Sequence, residues 1–546
     1  MRRRGPLLRA GRAAHIWASL VAAIPLILFA PSPQTAGAQS QQIAFGRIMY
    51  QQHCASCHED PQDRTPPRSL LAQLSPEAIV TALLTGAMKI QGERLGAEQI
   101  HAIALFLTGK AVGTASEKES KPNNCTDTAL IQVAATQWNG WGRDLDNSRY
   151  QPNPGFAAQD VGKLKPKWAF GYPGIMTYGQ PTIIGDRIYV SSMTGRVFSL
   201  NARTGCTYWS FDARGAVRTA ISIGAVSLDS TTKLAAYFAD EQGSVYAVDA
   251  ISGQPFWQIK SDEHPLARII GAPVFDAGHL YVPVSSPEEF VSRNPSYPCC
   301  TFRGSVSALD AATGKVIWKT YVISEPPKPL KKNTAGTQMF GPAGAAIWSA
   351  PTVDKKRNLL YVGTGNSYTE VDTNGADAIL AIELETGKVR WIHQFTAHDD
   401  YLMGCEDPRQ YIANCPSKLG RDLDFGSSPI LRRLPDGREV VLAGQKSGML
   451  YALDPDNDGK LLWQVSAGRG GALGGIEWGP AADDQNVYVA ISDVMTREFG
   501  PAGGLAAFKI ASGSASGTRR LPRRPVQEAC AAAQQRNRPP LLSFRA

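Results

Sequence analysis

Cys54, Cys57 and His58 stand in the order C-x-x-C-H. Two thiols at this spacing can both add to the vinyl groups of one haem, and the histidine that follows reaches the iron. The segment reads as the attachment site of one covalent haem c. Some thirty residues beyond His58, Met88 offers a thioether for the other side of the iron. Methionine in that place raises the reduction potential, which suits an electron acceptor. Met49 and His101 are the other side chains that could fill it.

A small helical unit must hold these groups. A helix over residues 43–50 leads straight into the haem motif. Another over 97–107 sets Ile100, Ile103, Ala104 and Leu107 on one face. With Met88 in a loop before that last helix, the order resembles the small class-I cytochromes c. The resemblance implies an all-α domain over residues 39–112, with Met88 as the second iron ligand. Residues 113–124 are polar, poor in large apolar groups, and read as a linker.

Beyond the linker the chain repeats itself. Residues 197–209, 245–257, 306–318, 379–391 and 450–463 each give a strand, a tight Asp/Gly turn and a second strand ending in tryptophan. Trp168 closes an earlier unit, and strands such as 187–190, 279–282 and 358–362 complete four-stranded groups. Spacings of 48 to 73 residues between the tryptophans of those five repeats make these the blades of an all-β propeller with insertions. The signature A-x-D-x-x-T-G-x-x-x-W, within residues 138–513, resembles the tryptophan-docking repeat of the pyrroloquinoline quinone (PQQ) dehydrogenases. Their propellers have eight blades, of which about six are recognisable here. A further copy opens at Gly504 and breaks off after Gly513, where a tryptophan is due. A propeller short of its last blades would leave open sheet edges.

That resemblance implies a second cofactor site. Trp348, with Asn366 eighteen residues later in G-T-G-N, matches the family's indole floor for PQQ and its calcium-binding asparagine. Stacking on an indole suits a flat cofactor. Counting on from Pro273 sets Glu288 on the family's calcium-ligating glutamate and Ser285 on a quinone-contacting serine. Hard oxygens are what Ca²⁺ requires. Lys446 matches the basic residue at the quinone oxygens, Arg218 the one near the quinone carboxylates, and Cys299–Cys300 the disulfide that covers the ring. Tyr178 and Ile270 stand where the family has glutamate and threonine. Asp424, in a D-F-G segment, takes the place of the catalytic base, with Asp399 as the alternative and residues 399–423 as an insertion.

An N-terminal cytochrome ahead of such a propeller resembles the quinohaemoprotein alcohol dehydrogenases that act on polyvinyl alcohol. The implied reaction has Asp424 as general base, hydride transfer to PQQ beside Ca²⁺, and electrons leaving through haem c to a soluble cytochrome c. An enzyme for small secondary alcohols is another reading. A third is a non-catalytic or inactive propeller, against which Trp348, Asn366, Glu288 and Asp424 together speak.

The two ends carry the net charge of +8: five arginines fall in residues 1–38 and seven in 514–546. The body between them is slightly acidic and has no nucleic-acid footprint. Arg2, Arg3, Arg4, Arg9 and Arg12, an apolar run over 16–30 and small residues at 36–38 compose a signal peptide over 1–38. Export to the periplasm is expected, and no other stretch is long and apolar enough to span a bilayer. An exported chain allows disulfides, with Cys405 and Cys415 close together, Cys125 and Cys206 as a long-range pair, and Cys530 left over. Spacing does not fix that connectivity. The propeller is expected over 125–513, and 514–546 reads as a basic tail without strand pattern, disordered or out of frame.

Overall fold

The computed structural model describes residues 33–59, 66–84, 86, 88–92, 95–110, 112, 123–126, 131, 137–171, 178–228, 230–406, 413–493 and 503–520. They belong to two compact units, within Met1–Ser116 and Glu117–Ala546. Most of the expected signal peptide and linker, the basic stretch past 520, and Cys530 lie outside the described residues.

The first unit is helical: Pro33–His53, Ala55–His58, Arg68–Leu71, Pro76–Leu84, Lys89–Gly92 and Ala97–Thr108. Its first helix starts ten residues earlier than expected and runs through the small residues at 36–38. The first and last helices meet at Gly46, where a Cβ would lie 1.9 Å from the Ala102 carbonyl oxygen. Only glycine permits that approach. Above the crossing, the Tyr50 and Phe106 rings lie 5.5 Å apart. The predicted face of Ile100, Ile103, Ala104 and Leu107 is buried against Met49, Tyr50, Ile79, Leu83 and Leu95.

The second unit is a succession of six antiparallel sheets over residues 182–212, 222–260, 274–321, 352–394, 430–466 and 474–520. The first five have four strands in sequence order, and an extra hairpin, Lys328–Lys332 with Gln338–Gly341, follows the third. Every neighbouring pair of sheets shares a buried apolar cluster. One expectation needs correction. Residues 515–520, read as tail, form a strand paired with Gly504–Lys509, with Phe508 opposite Ala515. A ladder is built from backbone groups, so the missing tryptophan does not prevent the strand.

The repeat signature explains itself at the joints between sheets. In the second sheet Asp249 Oδ1 accepts the amides of Ile251 and Ser252, both at 2.8 Å, which closes an Asx turn. The turn ends at Gly253 with φ 76°. Trp209 of the preceding sheet lies on that glycine: a Cβ there would be 2.7 Å from the indole. The indole N–H donates to the Ala250 carbonyl at 3.1 Å. The same joint recurs from Trp168 to Ala202, Trp257 to Ala311, Trp318 to Leu384 and Trp463 to Ile510. Trp391 is the exception, its N–H having no partner among the described residues. The turn facing it, 454–459, is one residue longer, and His393 Nε2 donates to the Asp458 carbonyl there instead, at 2.8 Å.

Residues 138–148 tie the sheets together from one side. Trp138 pairs with Ile183, and the Asn139 amide with Ile223. The carbonyls of Leu145, Asp146 and Ser148 accept the amides of Val353, Leu431 and Ala482. Five of the six sheets are reached by this one segment. Disulfides join Cys125–Cys206, Cys299–Cys300 and Cys405–Cys415. Among the described residues no helix is long and apolar enough to cross a membrane.

Candidate active site and haem site

The haem site is built at the end of the first helix. Cys54 and Cys57 are free thiols, and His58 is buried. His58 Nδ1 donates to the Pro66 carbonyl at 2.7 Å. This fixes the tautomer and leaves Nε2 as the iron-binding nitrogen. Met88 packs, partly buried, against the core of this unit. The Met49 sulfur instead accepts the Gln99 amide at 3.2 Å, and His101 is exposed. Two free thiols, a fixed histidine and a half-buried thioether are a fitting donor set for haem c.

In the second unit, residues far apart in sequence meet around Trp348. Its indole N–H donates to Asp424 Oδ2 at 3.1 Å, while the backbone amide of Asn366 donates to Oδ1 at 2.8 Å. Lys446 Nζ bridges Asp424 Oδ2 at 3.0 Å and Asp422 Oδ1 at 2.7 Å, and lies 5.3 Å from the Trp348 ring centre. Asp422 was not among the expected residues. Its signal was the D-L-D spacing, which in extended chain sets alternate side chains toward one side.

Asp399, the alternative base, is placed differently. Its Oδ1 accepts the amides of Arg421 and Asp422, and its Oδ2 that of Leu423 at 2.6 Å. With both oxygens committed it anchors the segment that presents Asp422 and Asp424. Such an anchor is needed because Asp422 sits at φ 60°, a conformation that costs a non-glycine residue roughly 1–2 kcal/mol.

Burial pushes the Asp422 carboxyl well above the usual carboxylate range, with Lys446 opposing and Asp424 adding to the rise. Burial alone would lower Lys446, but Asp422 and Asp424 outweigh it and keep the ammonium charged. A third carboxyl, Asp377, is fully buried, and neither oxygen has a hydrogen-bond partner among the described residues. Burial, then repulsion from Asp424, Asp399 and Asp422, drives it well above the usual range.

Trp348 and Gly426 line an open cleft together with Trp141, Tyr178, Arg218 and Trp478. The Arg218 guanidinium lies 4.3 Å from the Tyr178 ring centre and 5.2 Å from that of Trp478. Trp478 meets Trp348 edge-on at 6.1 Å and is 39 % exposed. Trp141 and Trp478 escaped the sequence reading because neither belongs to a docking repeat. Aromatic faces flanked by the cations Arg218 and Lys446 fit a planar quinone bearing carboxylates.

Of the two expected calcium ligands, Glu288 has both carboxylate oxygens hydrogen-bonded, whereas Asn366 is bonded through its side-chain NH₂. Glu288 is fully buried, and its Oε1 accepts the Tyr297 hydroxyl and the Thr301 amide, both at 2.7 Å. Its Oε2 accepts the Phe302 amide at 2.9 Å. Asn366 Nδ2 donates to the carbonyls of Ser367 and Tyr401. Among the described residues no group of three or more His, Cys, Asp or Glu side chains is gathered as metal ligands would be. The neighbour, Glu289, is the carboxylate whose charge acts on Lys446 and Asp422. Pro287 opens a one-turn helix, Glu288–Val291, in which successive side chains diverge by about 100°. The two glutamates therefore face different ways, which a count along the sequence does not register. Ser285 is buried, its hydroxyl donating to the Arg268 carbonyl at 3.2 Å. Cys299 and Cys300 are buried in a cluster with Phe302 and Leu402, against which Trp348 packs.

Comparison with known proteins follows the same division. Residues 138–403 match the family described as glucose/ethanol/alcohol dehydrogenase, beta-propeller domain. Residues 41–107 match cytochrome C oxidase, cbb3-type, subunit III. A polyvinylalcohol dehydrogenase of Pseudomonas sp is 43% identical over 527 residues, covering 94% of this chain and 80% of that protein. One from Sphingopyxis sp. (strain 113P3) is 42% identical over 486 residues, covering 85% and 73%. A solved quinohemoprotein alcohol dehydrogenase from Pseudomonas putida HK5 has a TM-score of 0.54 at 18% identity, over 73% of this chain and 69% of that one, which is a likeness of fold. With the sheets, the Trp348 cluster and the haem motif in place, the chain belongs to the polyvinylalcohol dehydrogenase family, as a PQQ-dependent alcohol dehydrogenase that carries its own cytochrome c domain.

Proposed function

We propose that the protein oxidises the secondary alcohol groups of polyvinyl alcohol to ketones in the periplasm. Its electrons pass through haem c to a soluble cytochrome c. The observation that carries the reading is the Asp424–Lys446–Asp422 group at the edge of the Trp348 ring, beside an open cavity. When bound, PQQ supplies a carbonyl that accepts hydride, and haem c supplies a one-electron carrier.

Asp424 is the base. Three donors fix its carboxylate, and Oδ1, which among the described residues accepts only the Asn366 amide, keeps a lone pair for a substrate hydroxyl within hydrogen-bond reach. Lys446 has three N–H groups, two of them held by Asp422 and Asp424, and the third would be available to a quinone oxygen. Arg218 would hold the quinone carboxylates, Trp348 would carry the ring face, and Ser285 and Cys299–Cys300 would complete the surroundings. No step is assigned to calcium, since Glu288 is committed elsewhere. The polymer as substrate is supported by the two relatives named for it, and export by the basic and apolar N-terminus. The cytochrome is taken to occupy 39–112, and the propeller to run from 125 to 520.

Protein reconstituted with PQQ and offered polyvinyl alcohol or a small secondary alcohol tests this directly. Haem reduction at a higher kcat/KM with the polymer supports the reading. Reduction by the small alcohol alone refutes the polymer, and reduction by neither refutes the secondary-alcohol activity.

A further inference from the structure

We infer that Glu288 is a positioning residue, the staple that holds the Cys299–Cys300 loop down beside Trp348. The role of that loop over the quinone rests on the reading of Trp348 as the quinone floor. The carboxylate grips the loop on both sides of the cystine. Tyr297, two residues before it, donates its hydroxyl, and Thr301 and Phe302, directly after it, donate consecutive backbone amides. The Thr301 hydroxyl adds a longer contact at 3.4 Å, and His264 Nε2, bonded to that hydroxyl at 3.0 Å, stands 3.9 Å from Oε1.

Charge-assisted bonds from amides are among the stronger ones a loop can make. Here they converge on one fully buried carboxylate, where no water can replace them. The other side of the loop is held more simply, by two backbone bonds to Phe340 of the 338–341 strand: the Cys300 amide donates to its carbonyl, and the Cys299 carbonyl accepts its amide. Lifting the cystine from the Trp348 cluster therefore requires the Glu288 bonds to break together. Adjacent Glu289 acts by its charge on Lys446 and Asp422. The two neighbouring glutamates thus have separate tasks, one under the cystine and one toward the lysine cluster.

A buried disulfide is reduced only through the fraction of molecules in which its loop has opened. PQQ-free full-length protein would be exposed to a water-soluble phosphine, alkylated at intervals and read by peptide mass spectrometry. The Cys405–Cys415 bond is the internal reference. Glu288→Gln keeps the shape but opposes an NH₂ group to the loop amides. It should speed reduction of Cys299–Cys300 about tenfold or more, with the reference bond and the metal content unchanged. Tyr297→Phe removes one bond and should give a smaller increase, and it decides the matter alone if Glu288→Gln does not fold. Unchanged reduction rates, or a loss of bound calcium in Glu288→Gln at an unchanged rate, would overturn the inference. Because PQQ is absent from the assay, failure of the quinone reading would appear separately, as quinone binding that ignores Trp348→Ala.

Discussion

Replacing Asp377 by Asn should stabilise the propeller, and by more as the pH rises. Asp377 is 0 % exposed, with neither oxygen hydrogen-bonded among the described residues. Burial first, and then Asp424, Asp399 and Asp422, hold its carboxyl well above the usual range, Lys446 being the opposing charge. The folded protein therefore keeps a proton that the unfolded chain releases near its ordinary value of about 3.9. Between the two values folding takes up a proton, so stability falls as pH rises. For one full proton the slope is about 1.4 kcal/mol per pH unit, opening at the unfolded value and closing at the folded one. Asparagine has the same shape, no proton to lose, and tolerance for the φ of 47° found there. Urea unfolding of both proteins, followed by tryptophan fluorescence at pH 5, 6 and 7, reads the difference. It should widen as the pH rises toward the folded value, in favour of the variant. A difference that stays constant over that range would refute the reasoning, since Asp377 would then titrate alike in both states.

The joints between sheets give a paired test. Gly278 has φ 85° and open space around it, so Gly278→Ala should cost only about 1–2 kcal/mol of conformational strain. At Gly314 a Cβ would also lie 2.8 Å from the Trp257 ring. Gly314→Ala should therefore cost about 1–3 kcal/mol more, and equal losses in urea unfolding would argue against docking. Lys446→Met leaves Asp422 and Asp424 buried without their cation and should destabilise by about 3–5 kcal/mol. Adding Asp422→Asn should recover part of that in the same assay. Asp424→Asn should lower kcat by roughly 10²–10⁴-fold while PQQ affinity, read by fluorescence quenching, holds; unchanged turnover would remove it as base. In the haem unit, Met88→Ala should change the visible spectrum of the oxidised haem and His101→Ala should not.

What could be read from the sequence follows from how local each demand is. The haem motif is legible because covalent attachment needs its residues within one turn of chain. The propeller is legible because each joint makes two demands at once, a glycine that can turn left-handed and an indole that fits on it. The meeting of Trp348, Asn366, Asp424 and Lys446 came from wording shared with a family, and the structure brings those residues together, Asn366 through its backbone amide. Other features depend on which amides happen to face a carboxylate. Asp399 looks like any acid near a site until the 421–423 amides are seen to converge on it. Glu288 and Glu289 differ only by a rotation about a single helical turn. Asp377 and Trp478 owe their interest to neighbours from distant segments, and the last strand, Ala515–Arg520, owes its existence to backbone pairing that carries no side-chain signature.

The tryptophan joints also bear on how the chain is made. Each indole emerges before the turn it will lie on. Trp209 precedes Ala250 by 41 residues, Trp257 precedes Ala311 by 54, and Trp318 precedes Leu384 by 66. At synthesis rates of about 5–20 residues per second, a finished sheet waits several seconds with one aromatic edge bare. The wait is longest at Trp318, before the fourth sheet is complete. A nascent propeller of this design carries a single adhesive edge that moves along with the ribosome, and factors that shelter exposed aromatic edges would be needed most while residues 318–384 are being translated.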